Sequence, residues 1–200
     1  MTDISWLLVV PRVPAQPSRH RVAVWRELRR LGAVPAAAGM WAAPDLPAFA
    51  EGVDAVRELA ERGDGSVSVF RANGQSEADA AALLETFTSA RVDEWAEFVA
   101  DCGKFDAEID REFAKEKFTF GELEEEEQSL DRLRRWHRDF LRRNAFPLPE
   151  TQQATERLTA STEKLASYSE RVYEVNLPTE PDPGTGPGLD PVPVPVPGEG

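Results

Sequence analysis

The chain has 200 residues, 41% hydrophobic and 30% charged, which suits a globular, helix-rich domain of ordinary size or a small domain with an appendage. Its net charge of −13 argues against a general electrostatic hold on nucleic acid, and no apolar run nears the roughly 18 residues that span a bilayer. A single cysteine, Cys102, excludes an internal disulfide and agrees with a reducing compartment, so the cytoplasm is the expected location.

The opening stretch lacks a basic leader and is too short in apolar residues for a signal peptide. It reads instead as a buried strand over Ser5–Val10, closed by Pro11-Arg12-Val13-Pro14. Ser18 is placed to cap a helix that Gly32 ends. Ala33–Ala37 and Met40–Ala43 flank Gly39 as a hairpin, and Asp45 is the expected cap of a helix running to about Arg62. Ser66–Phe70 alternates as a strand should. The order βαββαβ is the ferredoxin-like split unit.

From Ser76 to about Lys117 there is almost no helix breaker, although Gly103 is a point where the chain can bend. Leu84, Phe87, Trp95, Phe98, Cys102, Phe105, Ile109 and Phe113 recur at three- and four-residue steps, one apolar stripe on a long helix. Phe118–Gly121 reads as a turn. A helix over about 122–144 then places Leu123, Leu130, Leu133, His137, Phe140 and Leu141 on one side. After Phe146-Pro147-Leu148-Pro149, a third helix over 150–173 repeats Ala154, Leu158, Leu165, Tyr168 and Val172. Short connections imply antiparallel neighbours, and the long helix is expected to dock on the sheet as well. The fold class is therefore α+β. Residues 1–74 form a ferredoxin-like head, 75–175 an antiparallel three-helix body, and 176–200, rich in proline, a disordered acidic tail.

Several of these residues resemble a known family. Trp6-Leu7-Leu8-Val9-Val10, Pro17-Ser18-Arg19 with Arg21, Trp25, Leu28 and Leu31-Gly32-Ala33, and Gly39-Met40-Trp41 with Pro44 are similar to the N-terminal domain of the bacterial chromate-resistance regulators of the ChrB type. A second block, Lys117–Glu127 continuing to Leu133-Arg134-Arg135-Trp136, resembles the same family, as do Arg91, Asp93, Glu94 and Trp95. The resemblance covers roughly residues 4–175. It implies a non-enzymatic, chromate-responsive control of resistance genes, and it implies a further C-terminal domain that this chain does not contain. The head also looks like the module shared by PaaX-type repressors and CRISPR adaptation nucleases. In the nucleases an Asp ends the first strand and binds metal; Val10-Pro11-Arg12 stands here, which speaks against that hydrolysis.

Charge is distributed unevenly. Residues 1–44 hold six Arg against Asp3 and Glu27, a net of +4, which leaves −17 for the remainder. On the first helix Arg19, Arg26 and Arg30, with Arg29 beside them, form the stripe opposite Val24, Trp25, Leu28 and Leu31. They are candidate phosphate contacts, or else a solvated face. Arg21 and Arg91 fall on apolar stripes, where a guanidinium must find a counter-charge. Together with Ser18 they are candidates for an oxyanion pocket holding chromate; alternatively each pairs with a carboxylate such as Glu94, Glu97 or Glu122. His20, His137 and Cys102 are too scattered for a metal site, and no cofactor motif or catalytic grouping is present. The run Glu122–Glu127 reads as a solvated first turn. Three functions stay open: a regulator acting through DNA or another regulator, a protein-binding adaptor without DNA affinity, and an oxyanion-binding protein. A homodimer paired through the sheets is compatible with each.

Overall fold

The computed structural model describes residues 4–177. The expected tail therefore lies, beyond Leu177, outside the described residues. Four strands, β1 (Trp6–Arg12), β2 (Val34–Ala37), β3 (Met40–Pro44) and β4 (Ser66–Ala72), form one antiparallel sheet in the order β2-β3-β1-β4. This is the ferredoxin-like order, with helices α1 (Ser18–Leu31) and α2 (Pro47–Glu61) as its crossovers. The body consists of α3 (Glu77–Ala114), α4 (Phe120–Arg143) and α5 (Pro149–Asn176). The α+β class and the element order agree with the sequence reading. No helix among the described residues is long and apolar enough to cross a membrane.

β1 owes its unbroken apolar run to its central place between β3 and β4. Because strand side chains alternate, Leu7, Val9 and Pro11 share one face, and Pro11 lines a groove against Val24 and Leu28 of α1. Trp6 faces the other way and meets Phe87 of α3 edge-on at 5.6 Å. Phe87 also touches Phe49 of α2 and Phe146, the residue pair that ties the sheet to both helical layers. The helix α3 thus contributes to two cores: Phe87 belongs to the head, whereas Trp95, Phe98, Cys102 and Ile109 pack with Leu130, Ala154 and Tyr168 in the body.

Several ends differ from expectation for local reasons. Ser18 is the first helical residue of α1, after Pro17, and makes no capping bond. Asp45 does not cap α2, which starts two residues later behind Leu46; its carboxylate instead pairs with Arg71 of β4 at 2.8 Å. At α3, Ser76 and Asp79 form a reciprocal capping box. The continuous α3 has 38 residues, about 57 Å at 1.5 Å per residue, and runs straight through Gly103 without a helix end. α4 begins at Phe120, so Gly121 lies inside its first turn, because the Thr119 hydroxyl accepts from the Glu122 amide at 3.3 Å. Leu141, read as core, is exposed. The connection from α3 to α4 is laced by α5: Tyr168 Oη donates to the Lys117 carbonyl at 2.6 Å and Asn176 Nδ2 to that of Phe118 at 2.8 Å.

Candidate functional site

The head meets the body at the C-terminal end of α1. The last carbonyls of any helix lack intrahelical partners and carry the negative end of its dipole. Here Gly32 closes α1 in the left-handed region at φ 85°, and Arg91 Nη1 donates to its carbonyl at 2.7 Å. Arg143, the last residue of α4, donates to the Arg29 carbonyl at 3.2 Å. Both guanidiniums grip one carboxylate, Glu94: Arg91 Nε and Nη2 lie 3.0 and 3.1 Å from it, and Arg143 Nη1 lies 3.1 Å away. Each also rests on an aromatic face, Arg91 on Phe87 at 5.0 Å and Arg143 on Phe140 at 4.5 Å. Burial pushes the pKa of both guanidiniums down, against the pull of Glu94, but an arginine in contact with a carboxylate keeps its charge.

Arg91 is therefore buried and paired with Glu94, one of the three carboxylates considered, while Glu122 pairs with Lys117 instead. Arg21 behaves differently. It is exposed, on the rim of the groove formed by Pro11, Val13, Trp25 and Trp41, where the first turns of α1 overhang the sheet. Its aliphatic stem covers apolar surface while its charge reaches water. Trp25, assigned to the apolar face, is half exposed for the same reason. Arg91 sits beyond the other end of α1, about 16 Å along the axis at 1.5 Å per residue. The structure does not bring Ser18, Arg21 and Arg91 into one pocket.

Arg19, Arg26, Arg29 and Arg30 are all exposed on α1. Arg30 pairs with Glu27 at 2.9 Å, Arg29 lies over the Trp25 ring at 5.6 Å, and Arg19 donates to His20. Arg26 carries no ion pair among the described residues. Between α1, α2 and the end of α4 opens a cleft of about 490 Å³ lined by Arg30, Phe49, Gly52, Asp139 and Arg142.

A second group of arginines escaped the sequence reading. Residues 131–143 contain Arg132, Arg134, Arg135, Arg138, Arg142 and Arg143 against Asp131 and Asp139, a local excess of four positive charges. The signal was hidden because Glu122, Glu124, Glu125, Glu126 and Glu127 bring α4 as a whole to −1. Spacing would have found it: Arg135, Arg138 and Arg142 recur at i, i+3 and i+7, opposite the buried Leu130, Leu133 and His137.

Other candidates take structural roles. His137 is buried between Trp95 and Phe98, with Nε2 2.9 Å from the Thr155 hydroxyl, and burial lowers its pKa. Cys102 is fully buried and its thiol is pushed up to about 11, chiefly by desolvation, which makes it a poor nucleophile. Within the glutamate run Glu126 is buried rather than solvated. Among the described residues no group of three or more His, Cys, Asp or Glu is gathered as a metal ion would require.

These features define an α+β protein whose ferredoxin-like head is clamped to a helical body by paired arginines, with arginine-lined helices facing solvent. The chain belongs to the family described as Protein ChrB, N-terminal, which matches residues 21–179. It is similar to Protein ChrB of Cupriavidus metallidurans, with 31% identity over 102 residues. That match covers 50% of this chain and 30% of the relative, so the chain spans well under two thirds of the curated protein it resembles.

Proposed function

We propose that this chain is the N-terminal module of a regulator of chromate-resistance genes, working without a catalytic step, and that it contacts DNA through the arginine face of α1. Membership of the ChrB family supports a role in chromate resistance. The observation that carries the DNA contact is the exposed row Arg19, Arg26 and Arg30, with Arg29 beside it, on a helix whose opposite side packs on the sheet. Guanidinium groups bind phosphate in bidentate fashion, and a local positive row attracts a polyanion at short range even when the whole chain is negative. The end of β1 without a carboxylate supports a non-hydrolytic role.

The test is fluorescence anisotropy of the full chain with a labelled duplex taken from immediately upstream of its own gene. Binding should weaken steeply as salt rises, and Arg26→Ala with Arg30→Ala should reduce the dependence of log K on log salt by about 2. Absence of binding, or binding indifferent to both salt and these substitutions, would overturn the proposal.

A further inference from the structure

We propose that the phosphate-binding surface extends across the head–body junction, so that Arg135, Arg138 and Arg142 of α4 engage the same DNA duplex as Arg26 and Arg30 of α1. This rests on the DNA reading above. Arginines in the last turn of a helix have an ordinary explanation, since they complement the negative end of its dipole. Arg29 and Arg30 of α1, and Arg142 and Arg143 of α4, are so placed. Arg26, Arg135 and Arg138 are not: they stand a turn or more before the helix ends. They are exposed and carry no ion pair among the described residues. Exposed arginines that serve neither a dipole nor a carboxylate are free for an external anion.

The fold brings the two rows together. Arg143 donates to the Arg29 carbonyl, so the ends of α1 and α4 touch. Arg30 and Arg142 lie on the rim of one cleft, and Asp139 of α4 is close enough to Arg30 to act on its charge. Projected at 100° per residue, Arg135, Arg138 and Arg142 fall within about 60° of one another, on the side of α4 away from its core. The Glu94 clamp fixes this geometry, because the same two guanidiniums that lock the body to the head set the angle between the rows.

The chemistry of the two rows suits the phosphates of nucleic acid. Neither α1 nor α4 contains a lysine, and the first lysine of the chain is Lys104. Arginine offers a rigid, planar fork that matches an oxyanion such as phosphate in bidentate fashion. The two rows, on separate helices, suit the two phosphate strands that border a groove of a duplex.

The experiment uses the same labelled duplex and the full chain in a salt series, with three variants compared to the unsubstituted protein. Arg135→Ala, Arg138→Ala and Arg142→Ala together should lower the salt slope by about 2–3 and weaken binding on the order of 100-fold at moderate salt. The triple Arg→Lys variant, which keeps the charge, should keep most of the slope. Arg111→Ala, on α3 away from the junction, should change neither. Circular dichroism and thermal unfolding confirm that each variant is folded before its binding is read. A reduced slope for the α1 pair with none for the α4 triple overturns this extension and leaves the α1 contact standing. No binding by the unsubstituted chain, or capture of an acidic protein without duplex affinity, overturns both.

Discussion

Arg143 and Arg91, 52 positions apart in sequence, close on the same Glu94 carboxylate, and through it the last residue of α4 is bound to the end of α1. One buried and one partly buried cation share one anion, with two helix carbonyls and two ring faces also set against the guanidiniums. Removing the anion leaves the buried Arg91 and the partly buried Arg143 uncompensated, a larger loss than that of a surface pair. Glu94→Gln, which keeps the volume, is expected to destabilise the chain by about 3 kcal/mol. Urea unfolding followed by tryptophan fluorescence measures this; a change below about 0.5 kcal/mol would mean that the cluster is not what holds head to body.

Gly32 meets two requirements at that junction. Its φ of 85° disfavours a side chain, and a Cβ would lie 2.8 Å from Arg143 Cγ and Cδ and from Arg91 Nη1. Gly32→Ala should cost about 2–3 kcal/mol, part from backbone strain and part from displacing the arginines. The two parts separate in a double-mutant cycle with Arg143→Ala, in which the glycine substitution should be less costly because two of its three close contacts are gone. Strict additivity of the two free energies would assign the whole effect to the backbone.

How far the sequence discloses this fold depends on the range of the interaction. The strands and helices were legible because their signals are local: alternation in β4, three- and four-residue steps in α3, Gly32 at a helix end. Arg91 was legible as a buried charge for the same reason. Arg21 has the same helical signature and the opposite fate, since projection along a helix says nothing about where the sheet beneath it stops. The convergence of Arg143 on Glu94 is a tertiary event between residues 49 apart and leaves no local pattern. Glu126 is an intermediate case. It lies three residues after Leu123 and four before Leu130, so the apolar step contained it, but four neighbouring carboxylates suggested water instead.

The lacing of the α3–α4 connection by α5 gives a smaller effect. Tyr168 is fully buried, and its hydroxyl satisfies the Lys117 carbonyl in a chain segment with no secondary-structure partner. Tyr168→Phe keeps the ring contacts with Phe113 and Phe118 and removes only that bond. The expected loss is about 1 kcal/mol, the net contribution of one intramolecular hydrogen bond. Hydrogen exchange at Lys117–Thr119 should speed up more than exchange in α1; equal protection in both places would show that the bond contributes nothing local.

Glu126 provides a dependence on pH. Its carboxyl is pushed up to about 6 from an ordinary 4.5, mainly by desolvation, and further by Glu108 and Glu112 of α3 and Glu122 and Glu125 of α4. A raised carboxyl means that the folded chain holds this proton more tightly than the unfolded chain does. Below about pH 4.5 the group is neutral in both states and carries no penalty. As pH rises through 4.5 to 6 the unfolded chain ionises first, and stability falls; above 6 the penalty is complete, about 1–2 kcal/mol. Glu126→Gln should therefore stabilise the chain by that amount at pH 8, raising the melting temperature by a few degrees, and the gain should vanish near pH 4. Melting curves of both proteins across this range make the comparison. A constant difference at every pH would trace the effect to packing or hydrogen bonding, and a loss of stability at pH 8 would mean that the Glu126 carboxylate is held by a favourable partner after all.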